Sequence, residues 1–336
     1  MENKDIYILG IESSCDETAC AIVKNGREVI SNVVLSQIDI HTKFGGVVPE
    51  IASRQHVENI TLVIDECLNK ANMDFNMIDA IAVTRGPGLI GSLLVGLEAA
   101  KTLSFVHNKP LVPVHHIMGH IYANNLVKPI KYPALCLVIS GGHTELVLLT
   151  EEYEFKVLGT TLDDAVGECY DKVARVIDIG YPGGPKIDKL AALGEPSYNL
   201  PIPLNDDTYN FSFSGLKSAV INLVHNELQR GNTINKEDLA CSFQDVVSKV
   251  LVKKTQKAIR DYGVKYFITA GGVAANSKIR KELADLCEKE NIEYSFPEIS
   301  LCTDNAAMIA AAGYFAYKKG QISGLEINAF STTDLK

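Results

Sequence analysis

Three imidazoles fall within the six residues His115-His116-Ile117-Met118-Gly119-His120. Side chains four apart share one helix face, so a helix here aims His116 and His120 at one point and turns His115 away by about 100°. Neutral imidazole is a ligand for zinc, iron, copper or nickel. Two histidines make half of an open metal site, which needs a third protein ligand; the same pair equally suits a polar helix face bonded to backbone. Asp304, in Thr303-Asp304-Asn305, is an acidic candidate, because two histidines plus one carboxylate recur in open sites. Its competing role is N-cap of the apolar helical run 306–318.

A second chemical stretch is Glu12-Ser13-Ser14-Cys15-Asp16-Glu17-Thr18, between apolar β-type runs at 6–11 and 19–23. It reads as a hairpin turn able to offer N–H groups to a phosphate and carboxylates to a cation; hydroxyl and acidic residues are also ordinary turn formers. Further on, the strand 79–84 passes through Arg85-Gly86-Pro87-Gly88 into a helix with Leu93, Leu97 and Ala100 on one face. Such a junction suits an anion, although Pro87 breaks any dinucleotide or P-loop pattern. Lys43, Arg54 and Arg85 are candidates for a local basic patch.

After the histidines the order of elements starts again. Strands at 135–139 and 144–149 flank Ser140-Gly141-Gly142-His143, and a buried-type strand at 266–269 leads through Ala270-Gly271-Gly272 to Asn276 and a helix from Ser277. Each half therefore holds a hairpin with a polar or glycine-rich turn, then a strand, a glycine junction and a helix: a duplication in element order rather than in residues. Two such turns make a clamp for a nucleotide. Between them, a helix over 164–178 aligns Asp164, Glu168, Asp171 and Arg175, with Asp171 and Arg175 also readable as a surface pair. Gly180-Tyr181-Pro182-Gly183-Gly184-Pro185 leads to a helix with Asp188 in its first turn. Phe211-Ser212-Phe213-Ser214-Gly215-Leu216-Lys217 contains S-x-x-K, but the companion motifs of penicillin-binding enzymes are absent.

The chain has 336 residues and is 46% hydrophobic, enough for two lobes. The stretch from Met1 into the run 6–11 does not read as a secretory leader, so none is expected, and no apolar run reaches a bilayer's span of roughly 20 residues. Eight cysteines without a CxxC pair fit reduced thiols in a cytoplasmic protein. A net charge of −9 makes a poor stand-alone nucleic-acid binder.

The stretches GIESSCDETA, GGVVPEIASRQH, RGPGLIGSLLVG, HHIMGH, ISGGHTEL, DDAVGECYDKVAR, GYPGGP, FSFSGLK, GGVAAN and CTDNAAM, spread over nearly the full length, resemble the TsaD (Gcp/YgjD) family of tRNA N6-adenosine threonylcarbamoyltransferases. The resemblance implies an α/β, two-lobed fold of the actin, sugar-kinase and heat-shock ATPase type, with duplicated lobes around a nucleotide cleft. The expected lobes are 1–130, with the C-terminal helix around 305–336 returning to it, and 131–304. The resemblance further implies a divalent metal, Fe(2+) or Zn(2+), on His116, His120 and Asp304, and substrate binding by Val138, Ile139, Ser140, Gly141, Gly142, Asp171, Gly184, Asp188 and Asn276. The implied reaction moves the threonylcarbamoyl group from threonylcarbamoyl-AMP to the exocyclic amine of the adenosine that follows the anticodon, in tRNAs reading codons that begin with A. ATP or ADP would enter the same cleft. Implied partners are tRNA, the paralogue TsaB and the ATPase TsaE, with a TsaC-type synthase making the adenylate. Glu12 and Asp16 are the candidates for assisting proton removal. Two other readings compete. An ATP-binding, chaperone-like module is permitted by the fold. A metalloprotease is disfavoured, because there is no HExxH and no glutamate between the histidines.

Overall fold

The computed structural model describes residues 4–332 and 335, and its ten strands form two five-stranded sheets. The expected leaderless start at Met1–Asn3 and the terminal Thr333, Asp334 and Lys336 lie outside the described residues. The first sheet holds β1 (Tyr7–Glu12), β2 (Glu17–Lys24), β3 (Glu28–Ser36), β4 (Ala80–Gly86) and β5 (Leu111–His115), in the order β3-β2-β1-β4-β5. The second holds β6 (Ala134–Ile139), β7 (Thr144–Glu151), β8 (Glu154–Thr160), β9 (Tyr266–Ala270) and β10 (Glu293–Ser295), in the order β10-β9-β6-β7-β8. In both, a three-stranded antiparallel meander is extended by two parallel strands. Read from β8, the second sheet repeats the first strand for strand, so the duplication seen in the order of elements is one of topology.

The chain forms two compact units, Met1–Ile130 with Pro297–Lys336, and Lys131–Phe296. The crossing back falls at Phe296–Pro297, not at the expected 304–305. β10 is the last strand of the second sheet, and the chain leaves that unit directly after it, which puts Asp304 in the first unit. The first unit carries α1 (Ile38–Thr42), α2 (Pro49–Ala71), α3 (Ile90–His107), α4 (His116–Tyr122), α10 (Ile299–Cys302) and α11 (Ala306–Lys318). The second carries α5 (Val166–Val176), α6 (Gly183–Ala191), α7 (Ser214–Gln229), α8 (Lys236–Tyr262) and α9 (Ser277–Glu290).

Local chemistry explains the long helices of the first unit. Pro49 starts α2, where its fixed φ fits and its missing N–H is no loss, and α2 and α3 end in left-handed Asn72 and Asn108. Leu93, Leu97 and Ala100 of α3 are buried in one core with Ile11, Ile81 and Val83. On α11 every residue from Ala306 to Ala312 is fully buried, and the small side chains of Ala306, Ala310 and Gly313 let the helix lie almost backbone to backbone on the sheet. A Cβ on Gly10 would sit 2.5 Å from the Ala306 carbonyl oxygen, and one on Gly313 would sit 2.4 Å from Ala82 Cβ. These contacts run α11 along β1 with its first turn toward the Glu12 end, which fixes where Asp304 stands.

Two expected boundaries move. The helix expected over 164–178 spans Val166–Val176, leaving Asp164 before it. Because α6 begins at Gly183, Asp188 falls in its second turn rather than its first. No helix among the described residues is long and apolar enough to cross a membrane.

Candidate metal centre

His116 and His120 sit one turn apart on α4, their rings edge to face with centroids 4.7 Å apart. His115 ends β5 as the N-cap, its side chain accepting from Ile117 N–H. Gly119, between the two histidines, is where α4 crosses α11; a Cβ there would lie 2.6 Å from Ile309 Cδ1. The cap of α11 is Asn305, whose side-chain oxygen accepts from Met308 N–H. The competing reading of Asp304 as N-cap is thereby corrected: the neighbouring amide does the capping, and the Asp304 carboxylate turns toward α4.

Asp304 Oδ1 lies 3.4 Å from His116 Nε2 and 3.1 Å from His120 Nε2. One ligand atom from each residue falls within 4.8 Å of the others. Neighbouring ligands about 2.1 Å from a tetrahedral cation stand roughly 3.4 Å apart, so the two carboxylate–imidazole spacings fit a shared ion. The donor set, two imidazoles and one oxygen, suits iron(II) or zinc. The residues present therefore fit a divalent metal.

Glu12 is fully buried at the end of β1. Its Oε1 accepts from Ser14 N–H at 2.5 Å, and its Oε2 accepts from the Thr84 hydroxyl and from His116 Nδ1 at 3.3 Å. Ser14 Oγ is also 3.2 Å from that nitrogen. An ionised carboxylate only accepts, so with a cation on Nε2 the remaining ring proton of His116 would sit on Nδ1, facing Glu12. Carboxylates that orient a ligating histidine in this way are typical of metal sites. The expected proton-removing role of Glu12 meets a geometric objection, since both its oxygens are engaged. His120 Nδ1 has no hydrogen-bond partner among the described residues.

Burial alone would lower the His116 imidazole, but the flanking carboxylates of Asp304 and Glu12 lift it well above its ordinary value. Burial would also raise Glu12 and Asp304, yet the His116 charge holds both below the usual carboxylate range. The pocket is thus built to hold positive charge. Asp16, in the same turn, is nearly buried. Burial, followed by the charges of Asp304 and Asp16, pushes its neighbour Glu17 up to about 10, so Glu17 keeps its proton at neutral pH.

In the second unit, Ser140–His143 forms the turn between β6 and β7, closed by Ser140 N–H to the His143 carbonyl and His143 N–H to Ser140 Oγ. Gly141 and Gly142 are exposed, and a Cβ on either would meet nothing. Their backbone is open to a ligand. Val138 and Ile139 are fully buried strand residues that support this turn from within the sheet. Gly167 N–H donates to the Ser140 carbonyl, which ties the start of α5 to the turn. Asp171 accepts from Gly183 N–H at 2.7 Å; burial raises its carboxyl despite that bond. It anchors the loop that presents Gly184. Asp188 accepts from Ser277 N–H at 3.0 Å and from Ser277 Oγ at 2.8 Å, next to Asn276, the N-cap of α9.

Other motifs resolve into scaffolding. Ser214 Oγ donates to Asp163 at 2.6 Å and Lys217 Nζ pairs with Asp164 at 2.7 Å, so S-x-x-K is not a nucleophile and its base. Arg54 pairs with Glu50, and Arg85 covers the Phe330 ring while bonding the Asn328 carbonyl. Two of the three expected patch cations are thus taken up locally. Sequence reasoning missed the roles of Ser14, Thr84, Glu17 and Gln244. The only advance signal was that Ser14 and Glu17 share a turn with Glu12.

The family model for TsaD, tRNA N6-adenosine threonylcarbamoyltransferase, matches residues 28–311. A Bacillus cereus (strain ATCC 10987) tRNA N6-adenosine threonylcarbamoyltransferase is 60% identical over 335 residues, covering 99% of this chain and 98% of the relative. The Staphylococcus saprophyticus protein of the same description is 56% identical, covering 98% and 96%. Among solved structures, full-length HypF in its phosphate- and nucleotide-bound form superposes with a TM-score of 0.63 at 13% identity, over 94% of this chain and 46% of that one. The Acidaminococcus fermentans (R)-2-hydroxyglutaryl-CoA dehydratase component A gives 0.54 at 17%, over 94% and 98%. These likenesses establish the fold, that of the actin, sugar-kinase and heat-shock ATPase type. With the relatives' identity running over nearly the full length, the chain belongs to the tRNA N6-adenosine threonylcarbamoyltransferase family.

Proposed function

We propose that this chain transfers the threonylcarbamoyl group of threonylcarbamoyl-AMP to N6 of the adenosine following the anticodon, in tRNAs reading codons that begin with A. One observation carries the reading. In a chain of this family, His116, His120 and Asp304 converge within 4.8 Å, with Glu12 Oε2 3.3 Å from His116 Nδ1.

In the proposed reaction the adenine amine attacks the carbamoyl carbon. A C–N bond forms, the C–O bond to the phosphate breaks, and AMP leaves with the electron pair. AMP is a good leaving group and the exocyclic amine a weak nucleophile, so orientation and charge stabilisation limit the rate. A bound divalent metal, iron(II) by preference and zinc as the alternative, supplies Lewis acidity toward a carbonyl or carboxylate oxygen. The chain's own residues do the rest. Val138–Gly142, Asp171, Gly184, Asp188 and Asn276 take the adenylate, which the open backbone of Gly141 and Gly142 supports. Asp16 is the candidate to receive the amine proton, and neutral Glu17 beside it limits local negative charge. Glu12, earlier paired with Asp16 in that role, is better suited to orienting His116. ATP or ADP enters the adenylate's place. The proposed setting is the cytoplasm, with TsaB as paired paralogue, TsaE as ATPase and a TsaC-type enzyme as the source of adenylate.

Reconstitution tests this. The purified chain, synthetic adenylate and unmodified tRNA, with and without TsaB and TsaE, should yield threonylcarbamoyladenosine on nucleoside digestion. Partner-coupled ATP turnover with no modified adenosine would favour the chaperone-like module instead.

A further inference from the structure

Gln244 lies on α8 and is 3% exposed, held there by its fully buried neighbour Phe243, whose ring meets Tyr170 edge to face. Its two amide atoms join the residues proposed above to grip the adenylate. Gln244 Nε2 donates to Asp188 Oδ1 at 3.0 Å, and Gln244 Oε1 accepts from Asn276 Nδ2 at 2.8 Å. The direction of this chain is forced. Asn276 Oδ1 accepts from Ile279 N–H at 3.0 Å, so its Nδ2 must face Gln244, and Gln244 must then present its own NH2 to a carboxylate that can only accept. Ser277, next in sequence to Asn276, closes the ring by donating its N–H to Asp188 Oδ2 and its Oγ to Oδ1.

A carboxylate offers about four acceptor sites. Asp188 uses two on Oδ1 and one on Oδ2, which leaves one on Oδ2 for a ligand hydroxyl. We propose that Gln244 is a positioning residue for the donor: it clamps Asp188 by Oδ1 so that Oδ2 faces a hydroxyl of the nucleoside part, and it locks the Asn276 amide in the matching orientation. This rests on the proposed donor-binding role of Asp188 and Asn276. Gln244 touches the ligand through neither of its amide atoms.

The test uses calorimetric titration of the full chain with an unreactive threonylcarbamoyl-AMP analogue at pH 5.5 and 8.5, on wild type, Gln244→Leu, Gln244→Glu and Asp188→Asn. A glutamate at 244 would stand against Asp188 Oδ1, and two carboxylates so close share one proton up to a raised pH. Holding one proton, the pair reproduces the wild-type pattern, because the protonated acid donates to Asp188 and still accepts from Asn276. Losing it, the pair repels. Gln244→Glu should therefore bind near wild-type strength at the lower pH and about tenfold more weakly at the higher. Gln244→Leu should be about tenfold weaker at both, and its melting temperature should fall only modestly, because Asn276 Nδ2 loses its acceptor while Ser277 still holds Asp188. The ionisable groups on neighbouring elements, Tyr170 of α5, Asp245 of α8, and Lys278 and Glu282 of α9, are common to wild type, which corrects for their titration. Wild-type affinity of Gln244→Glu at both pH values, with Asp188→Asn weak, would overturn the positioning role and leave the donor site standing. Wild-type affinity of Asp188→Asn would overturn both.

Discussion

Replacing Glu12 by glutamine changes one atom in a fully buried residue, yet it should cost the metal centre most of its affinity. Glu12 receives three donors: Ser14 N–H, the Thr84 hydroxyl and His116 Nδ1. A glutamine supplies one acceptor oxygen and one NH2 group, so one side of the residue becomes donor against donor. If the NH2 faces Ser14, that backbone N–H is left buried without an acceptor. If it faces His116, Nδ1 must accept, and the ring proton moves to Nε2. That nitrogen is 3.4 Å from Asp304 Oδ1, and in this tautomer it has no lone pair for a cation. The second arrangement is expected, because the first leaves a backbone N–H buried and unpaired; it removes a hydrogen bond to a charged group, about 1.5–3 kcal/mol, or roughly 10–100-fold in zinc affinity. Zinc affinity measured by chelator competition should fall by that factor in Glu12→Gln, with the melting temperature monitored as a control. Wild-type zinc affinity in a folded Glu12→Gln protein would refute the assignment of Glu12 as the group orienting His116.

Three further outcomes are expected. Gly10→Ala drives a Cβ to 2.5 Å from the Ala306 oxygen and 2.8 Å from the Ala310 nitrogen, backbone atoms that cannot rotate away. It should cost about 1–3 kcal/mol and weaken zinc binding by shifting Asp304, whereas Gly119→Ala meets only the flexible side chains of Ile309 and Met308 and should do less; melting and zinc titrations check both. Asp163 accepts from Phe213 N–H and Ser214 N–H as well as from the Ser212 and Ser214 hydroxyls, a cap for α7 supplied from outside the helix. Burial opposes it, but these bonds hold its carboxyl below the ordinary value of 3.8. A carboxyl depressed on folding stabilises above its unfolded value, so the stability lost in Asp163→Asn, on the order of 1 kcal/mol, should be constant near neutrality and shrink as acid denaturation curves go below about pH 4. With a net charge of −9, the isolated chain should bind tRNA weakly and with steep salt dependence; tight binding at physiological salt in a filter assay would contradict this.

The cluster of His116, His120 and Asp304 was legible in the sequence because helical spacing places the two histidines on one face and residue type nominates Asp304. Sequence could not choose between Asp304 and Asn305 as the cap of α11, since both side chains cap well; the choice follows from packing of the helix on Gly10 and Gly313. The duplicated sheets were readable from apolar runs and glycine junctions. The tasks of Glu12, Asp163 and Gln244 were not. Each acts on a partner distant in sequence, respectively His116, Ser214 and the Asp188–Asn276 pair, and no local pattern encodes such contacts. Asp171 misled for a related reason. Its spacing suggested a stripe, but the loop after α5 folds back so that the carboxylate takes Gly183 N–H.

The claim that Asp304 joins the two histidines on a catalytic cation is tested most directly in cells whose only copy carries Asp304→Ala. The purified variant should lose its metal, and threonylcarbamoyladenosine measured by mass in digested tRNA should disappear while the protein persists at normal level. Normal amounts of the modified nucleoside with metal-free Asp304→Ala protein would contradict the account.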